Sequence, residues 1–161
     1  MVISETGGGT SGYGNSLPFV LLVYLSPEWW MDSGANIHVC ADVSLFTSYQ
    51  AGRSGALLMQ NGSHARVFGA GTVVLKFTSG KMVLLKNVHH VPSIKKNLVS
   101  GSQMCRDGFK IMLKSNKCIV SRHGTFVGKG YDCGGLFCLS LLNDVCNKVV
   151  NNVNISDESN I

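Results

Sequence analysis

The sequence is poor in the features that define several protein classes. It has only 3 prolines in 161 residues and a charged content of 14%. The apolar run LPFVLLVYL at 17–25 is too short to cross a bilayer as a helix. It also lacks the preceding basic residues and the following small-residue cleavage site of a secretory signal. These absences predict a cytoplasmic protein without a membrane partner.

Cysteine is present but does not form a recognisable framework. The 6 cysteines show neither the tight spacing of a secreted disulfide scaffold nor the close pairs of a zinc site. His38 with Cys40, and Cys133 with Cys138, come nearest to a ligand cluster. Packing in the core is the preferred interpretation of both, so we expect reduced thiols, no metal and no cofactor.

The net charge of +5 is concentrated in the C-terminal half of the chain. A basic excess of this kind attracts RNA or acidic partners. The lysines are nevertheless scattered at the spacing of ordinary solvated strand faces and turns. The sequence therefore predicts that nucleic-acid binding by this chain is unlikely.

Glycine is abundant, at 19 residues, and separates short β-branched, apolar or aromatic runs. Asn61 and Gly62 predict a type I′ hairpin, residues 78–81 a second turn, and 97–108 one short helix capped by Ser100. These elements predict an all-β fold, a compact β-barrel with one short helix. Strands are predicted at 29–31, 56–60, 65–68, 72–77, 82–91, 109–113, 118–121 and 125–128.

The stretch EWWMDSGANIHVC carries the strongest chemical signal. Asp32, Ser33 and Gly34 follow an apolar strand, so the carboxylate lies at a strand end among bulky neighbours. Two such carboxylates facing each other would share a proton and activate a water molecule. Asp-Ser-Gly is also a common turn sequence, and on these three residues alone a turn is the preferred interpretation. His89 and His90 lie on opposite faces of a strand and cannot converge on one ion.

Four segments in this order, WWMDSGANIHVC, GAGTVVLKF, NVHHVPSIKKNLVSGSQM and GLFCL, resemble one family. They are similar to the protease region, a β-barrel domain, of copia-type and TNT-like retrotransposon Gag-Pol polyproteins, followed by the start of the pre-integrase segment. The resemblance implies a small retropepsin-like closed β-barrel at 26–120. It also implies a flexible leader with an apolar segment at 1–25, and a truncated pre-integrase start with a disordered tail at 121–161.

The resemblance further implies an aspartic endopeptidase that processes a Gag-Pol-like polyprotein. Asp32 would be the catalytic aspartate, Ser33 and Gly34 would complete its loop, and residues 97–99 would brace that loop. The mobile flap that covers the peptide substrate would be formed by Gln60, Asn61, Gly62 and Ser63. No second Asp-Ser-Gly or Asp-Thr-Gly occurs, so the active form would be a homodimer.

An inactive retrotransposon remnant is the alternative hypothesis. Such a remnant would be a β-barrel that serves as a dimerisation or peptide-binding module. An intact Asp32-Ser33-Gly34 favours the protease, which would reside in the cytoplasm, or in a virus-like particle if it belongs to an active element.

Overall fold

The computed structural model describes residues 28–142, which form ten strands and one short helix. The predicted leader at 1–25 and the part of the predicted tail beyond 142 lie outside the described residues. The strands are β1 (Trp29–Asp32), β2 (Val39–Cys40), β3 (Phe46–Leu58), β4 (His64–Lys76), β5 (Met82–His90), β6 (Asn97–Ser100), β7 (Phe109–Lys114), β8 (Lys117–Arg122), β9 (Thr125–Cys133) and β10 (Leu136–Leu139). The helix α1 is Gly101–Arg106, and a 3₁₀ turn covers Val43–Leu45.

All ten strands belong to one sheet, in the order β3-β4-β5-β2-β6-β1-β10-β9-β8-β7. Most neighbours are antiparallel, as expected of strands joined by short turns. The exceptions lie at the centre, where β1 runs parallel to β6 and β2 runs parallel to β5. The strands at the sheet centre therefore come from distant parts of the sequence.

The sheet curves around one main core to which both of its halves contribute. Buried core residues come from β4 and β5 on one side, such as Val73 and Leu85, and from β8 and β9 on the other, such as Val120 and Val127. An isolated bridge between Phe77 and Leu141 brings the two halves together. The all-β class with one short helix is confirmed. The predicted closure is not observed, because the outermost strands β3 and β7 do not pair with each other.

Three glycines in the strands make room for aromatic rings. A Cβ on Gly69 would collide with Tyr49, a Cβ on Gly71 with the β3 backbone and Phe46, and a Cβ on Gly128 with the fully buried Phe77. Glycine inside a strand commonly marks such a close approach. The high glycine content therefore reflects ring packing as well as turns.

The hairpin predicted at Asn61 and Gly62 is confirmed, but the predicted type I′ turn is wrong. Type I′ requires a positive φ at both central residues. Among residues 60–63 only Gly62 has a positive φ, at 78°. The Gly62 amide donates to the Met59 carbonyl at 2.9 Å and the Met59 amide to the Ser63 carbonyl at 2.8 Å. The chain thus turns over residues 59–62, with Gly62 in the left-handed conformation that closes the hairpin.

The segment 97–108 contains a strand before its helix. Residues 97–100 form β6, and the helix occupies only Gly101–Arg106. Ser100 caps it as predicted, since its hydroxyl accepts the Gln103 amide at 3.1 Å. Residues 97–100 are extended because they pair in parallel with Trp29 to Asp32 of β1. This pairing provides hydrogen-bond partners for their backbone groups.

The sheet continues past residue 120 through β8, β9 and β10, and β10 pairs with β1. A domain boundary at 120 stays a prediction. Within residues 28–142, no helix has the length and apolar character needed to span a membrane.

Candidate active site

Asp32 is the last residue of β1, the strand at the centre of the sheet. Trp29 and Met31 point into the main core, and Trp30 is buried on the opposite face beneath the ammonium of Lys96, 4.0 Å from the ring centre. β1 pairs with β6 on one side and with β10 on the other. The half-buried carboxylate is therefore fixed where a doubly paired strand ends.

The backbone turns tightly around the Asp32 side chain. The Gly34 amide donates to Asp32 Oδ1 at 2.8 Å. A Cβ placed on Gly34 would lie 3.3 Å from the same oxygen, which is tighter than most real contacts. Ser33 between them is exposed. The Asp-Ser-Gly sequence thus forms a compact loop that orients one carboxylate, as the sequence predicted for this position.

Two serines at the start of α1 hold the far side of this loop. The Ser100 hydroxyl donates to the Ala35 carbonyl at 2.6 Å and the Ser102 hydroxyl to the same carbonyl at 3.1 Å. Ser100 is fully buried and pairs with Asp32 across the parallel strands. The Ser100 hydroxyl, which directly follows the brace predicted at 97–99, therefore caps the helix and also binds the loop.

His38, which follows the Asp32 loop in the sequence, is also hydrogen-bonded to Ser100. Its Nδ1 accepts the Ser100 amide at 2.9 Å, so the neutral ring carries its proton on Nε2. Nε2 is buried and has no hydrogen-bond partner among the described residues. Burial lowers the pKa of His38 from 6.5 to about 4, with Asp107 opposing and Arg106 reinforcing the shift. His38 is therefore a neutral structural acceptor at neutral pH.

The sequence pointed to Asp32, Ser33 and Gly34, to a brace at 97–99 and to core packing of His38. It did not indicate which groups the side chains of His38, Asn97 and Ser102 contact. Asn97 is buried and its Oδ1 accepts the Ala41 amide at 2.9 Å, which ties β6 to the end of β2. Ser-x-Ser before a short helix is a detectable capping signal. The Ala35 carbonyl that accepts the serine hydroxyls and the Ala41 amide that donates to Asn97 have no such signal, because both contacts depend on the tertiary fold.

The predicted flap residues form the tip of the β3–β4 hairpin. Gln60, Asn61, Gly62 and Ser63 are all exposed, and the Asn61 side chain accepts the Ser63 amide at 3.0 Å. Below the tip lies a second apolar cluster of Val39, Ala65, Val67 and Val91, with Ile37, Leu57, Met59, Ile94 and Leu98 packed against it. Ile37 follows the Asp32 loop and Leu98 belongs to the bracing strand. The hairpin thus packs on the elements that position Asp32.

The histidines and cysteines considered for metal binding have other contacts. His38 and Cys40 are both buried, and one ring nitrogen of His38 binds Ser100. His90 is buried against Tyr49, whose hydroxyl lies 2.9 Å from His90 Nδ1, while His89 is half-buried. Within the described part of the chain, no three His, Cys, Asp or Glu residues lie close enough together to hold a metal ion.

Comparison with known proteins connects this geometry to transposons. The chain is 33% identical over 110 residues to "Retrovirus-related Pol polyprotein from transposon TNT 1-94" of Nicotiana tabacum, a match that covers 68% of this chain and 8% of that protein. It is 31% identical over 83 residues to the corresponding polyprotein of transposon RE1 of Arabidopsis thaliana, covering 51% and 6%. A transposon Ty5-1 protein of Saccharomyces cerevisiae is 32% identical over 75 residues, covering 47% and 48%.

The chain therefore spans less than a tenth of the two Pol polyproteins and about half of the Ty5-1 protein. Residues 29–109 match the family model described as "Pol polyprotein, beta-barrel domain". That range contains the Asp32 loop, the β3–β4 hairpin and the bracing strand with its helix. The resemblance deduced from the sequence is confirmed: this chain belongs to the Pol polyprotein beta-barrel domain family.

Proposed function

We propose that this domain is an aspartic endopeptidase that cleaves a transposon polyprotein as a homodimer. The observation that carries the proposal is the Asp32 loop, in which the Gly34 amide donates to the carboxylate at 2.8 Å. An aspartic protease needs a carboxylate of fixed orientation that meets a second one across a water molecule. Among residues 28–142 the Asp-Ser-Gly sequence occurs once, so a second protomer would supply the partner carboxylate.

The hairpin supports the same function. Its tip at residues 60–63 is exposed, while its base packs over the apolar cluster next to the Asp32 loop. An extended peptide lying between tip and loop would add backbone hydrogen bonds to the hairpin and bury apolar side chains against that cluster. Closure of the hairpin would also exclude water from the reacting carbonyl.

The chemistry follows from one proton shared by two carboxylates. One Asp32 would take a proton from the attacking water while its partner donates a proton to the substrate carbonyl oxygen. Only the singly ionised pair works in this way, so the rate should follow a bell-shaped curve in pH whose two limbs belong to the pair. Asn at position 32 keeps the shape of the side chain but supplies neither the charge nor the proton.

The test is cleavage of a Gag-Pol linker peptide at mildly acidic pH by wild type and by Asp32→Asn. We expect the variant to be inactive while its circular dichroism and unfolding midpoint match those of wild type. Specific activity should also fall on dilution, because only the dimer has two carboxylates. Cleavage by Asp32→Asn at the wild-type rate would disprove the proposal.

A peptide-binding module without catalysis is the second candidate, and the open sheet favours it. The edge strand β3 has 13 residues and pairs with only β4 among the described strands. Such an edge can accept an extended peptide as an additional strand. Wild-type protein that binds linker peptides tightly but never cleaves them would support this module over the protease.

A further inference from the structure

The face of β7, β8 and β9 that points away from the core gathers side chains that are separated in the sequence. Paired positions form three rows across these strands: Lys114, Lys117 and Tyr131; Met112, Ile119 and Lys129; and Lys110, Ser121 and Phe126. The alternate residues Cys118, Val120 and Gly130 are buried on the core side. We call these nine residues the meander face.

All charged side chains of the meander face are basic. Residues 109–131 contain five basic side chains and no acidic one, an excess equal to the net charge of +5 of the whole chain. Four of the five, all lysines, lie on this face. Lys114 and Lys117 stand directly opposite each other, an arrangement of like charges that destabilises a sheet. An anionic ligand would remove this repulsion.

Two aromatic rings are exposed between these lysines. Phe126 and Tyr131 each remain 46% exposed, although both lie in β9 beside a well-packed core. A register shift between Phe126 and Gly128 places Phe126 opposite Ser121, on the same face as the lysines. The ammonium of Lys129 lies 5.4 Å from the centre of the Tyr131 ring. Lys129 and, more weakly, Lys117 lower the pKa of the Tyr131 phenol. Flat, accessible rings flanked by ammonium groups are typical of surfaces on which nucleic-acid bases stack.

Acidic residues limit this surface on one side, beginning with the exposed Asp132, which directly follows Tyr131 in β9. Tyr131 pairs with Cys138 of β10, and the charge of Glu28 contributes to the raised pKa of the Cys138 thiol. On the far side of Cys138, Lys96 lies over Trp30. The positive surface therefore ends at Asp132 and near Glu28, and its most basic part is the corner formed by Lys114 and Lys117.

We propose that the meander face binds single-stranded nucleic acid, with the lysines contacting phosphates while Phe126 and Tyr131 stack on bases. An acidic peptide would satisfy the lysines but offers no flat partner for both rings. A duplex would present phosphates but keep its bases stacked inside. The lysines look scattered along the sequence because only the strand register brings them together. The proposal is independent of the protease function.

The experiment measures fluorescence anisotropy of a labelled oligouridine strand titrated with the full chain at several salt concentrations. With four lysines on phosphates, log Kd should rise with log salt with a slope of about 3. The double variant Lys114→Glu/Lys117→Glu should weaken binding by tenfold or more, on the order expected for reversing two phosphate contacts. Phe126→Ala and Tyr131→Ala should each weaken binding by about tenfold through lost stacking.

The matched control is Lys76→Glu/Lys81→Glu, which makes the same change of charge on the two sides of the β4–β5 turn, where Phe77 packs on the core side of Gly128. This control should bind nearly as well as wild type, and melting curves should show that every variant is folded. Equal losses in both lysine pairs would overturn the proposal, because binding would then depend on net charge alone. An acidic peptide or a duplex that competes as well as oligouridine, with Phe126→Ala unaffected, would also overturn it.

Discussion

The Asp32 loop and the hairpin tip at residues 60–63 are built from opposite kinds of contact. The loop is held by long-range hydrogen bonds from buried groups, with His38 and Ser100 joined across 62 residues of sequence. The tip is held by local bonds among exposed residues, such as that from the Ser63 amide to Asn61. Buried networks are rigid and costly to break, whereas exposed local bonds open easily. A protease needs this difference, with a fixed carboxylate and a movable cover.

Acid should destabilise the hydrogen bonds that hold the Asp32 loop, because they include the His38 ring, and should not affect those of the hairpin tip. The pKa of His38 lies near 4 in the fold and at 6.5 when the ring is free, so the unfolded chain binds more protons between these values. The stabilising contribution is complete above pH 6.5 and is lost as the pH falls towards 4. The loss should reach about 3 kcal/mol, since each pKa unit corresponds to about 1.4 kcal/mol. Urea unfolding at a series of pH values measures it.

His38→Asn is the control for this prediction. Its Oδ1 can accept the Ser100 amide as Nδ1 does, but it does not titrate in this range. Its unfolding free energy should therefore change less between pH 6.5 and 4 than that of wild type. Identical pH profiles for the two proteins would show that His38 does not cause the acid sensitivity.

At neutral pH, removing one serine hydroxyl from the brace of the loop should cost more stability than removing one from the hairpin tip. Ser100→Ala deletes the cap of α1 and a hydrogen bond to Ala35, both in a fully buried place, and should cost about 2 kcal/mol. Ser63→Ala makes the same chemical change at the exposed tip and should cost less than about 0.5 kcal/mol. Chemical denaturation of both variants measures the difference. Equal costs would contradict the distinction between a buried brace and an exposed tip.

A smaller effect than those at His38 and Ser100 concerns the backbone of the tip. Gly62 has a φ of 78°, so Gly62→Ala should destabilise the hairpin by about 1 kcal/mol. Gly55→Ala in the same hairpin is the matched control, because a Cβ there meets nothing within 4 Å and its φ is not positive. In a peptide-cleavage assay, Gly62→Ala should raise KM, while its free energy of unfolding should fall by no more than about 1 kcal/mol. An unchanged KM would argue that the tip does not cover the substrate.

The sequence predicted most strands because alternation and turn residues are local signals. The strand at 82–91 and the turn at 78–81 are found almost where expected, with Gly80 at a φ of 86°. β2 and β10 were missed because they have only two and four residues, and their strand character comes from distant partners. Residues 46–55 of β3 were missed because Tyr49 packs over Gly69, a contact that the local sequence does not show.

For the candidate site, the sequence indicated the Asp32 loop and the position of the hairpin tip, because both carry short motifs. The rest depends on register. The hydrogen bonds from the Ser100 and Ser102 hydroxyls to the Ala35 carbonyl, and from the Ser100 amide to the His38 ring, join residues 62 to 67 positions apart. No periodicity encodes such distances. The edges that β3 and β7 leave unpaired within residues 28–142 could not be deduced either, since closure depends on sheet curvature and not on any single strand.

The central position of β1 has a consequence for how the molecule folds. Trp29 pairs with Asn97 and Trp30 with Cys138, so the strand that ends in Asp32 joins segments 68 and 108 residues away. Contacts this far apart in sequence require large loops to close first, and they slow folding. The hairpins β3–β4 and β7–β8 pair residues no more than 27 positions apart and can form earlier. The carboxylate loop would then take shape only in the last steps, so a partly folded chain would carry Asp32 without a site.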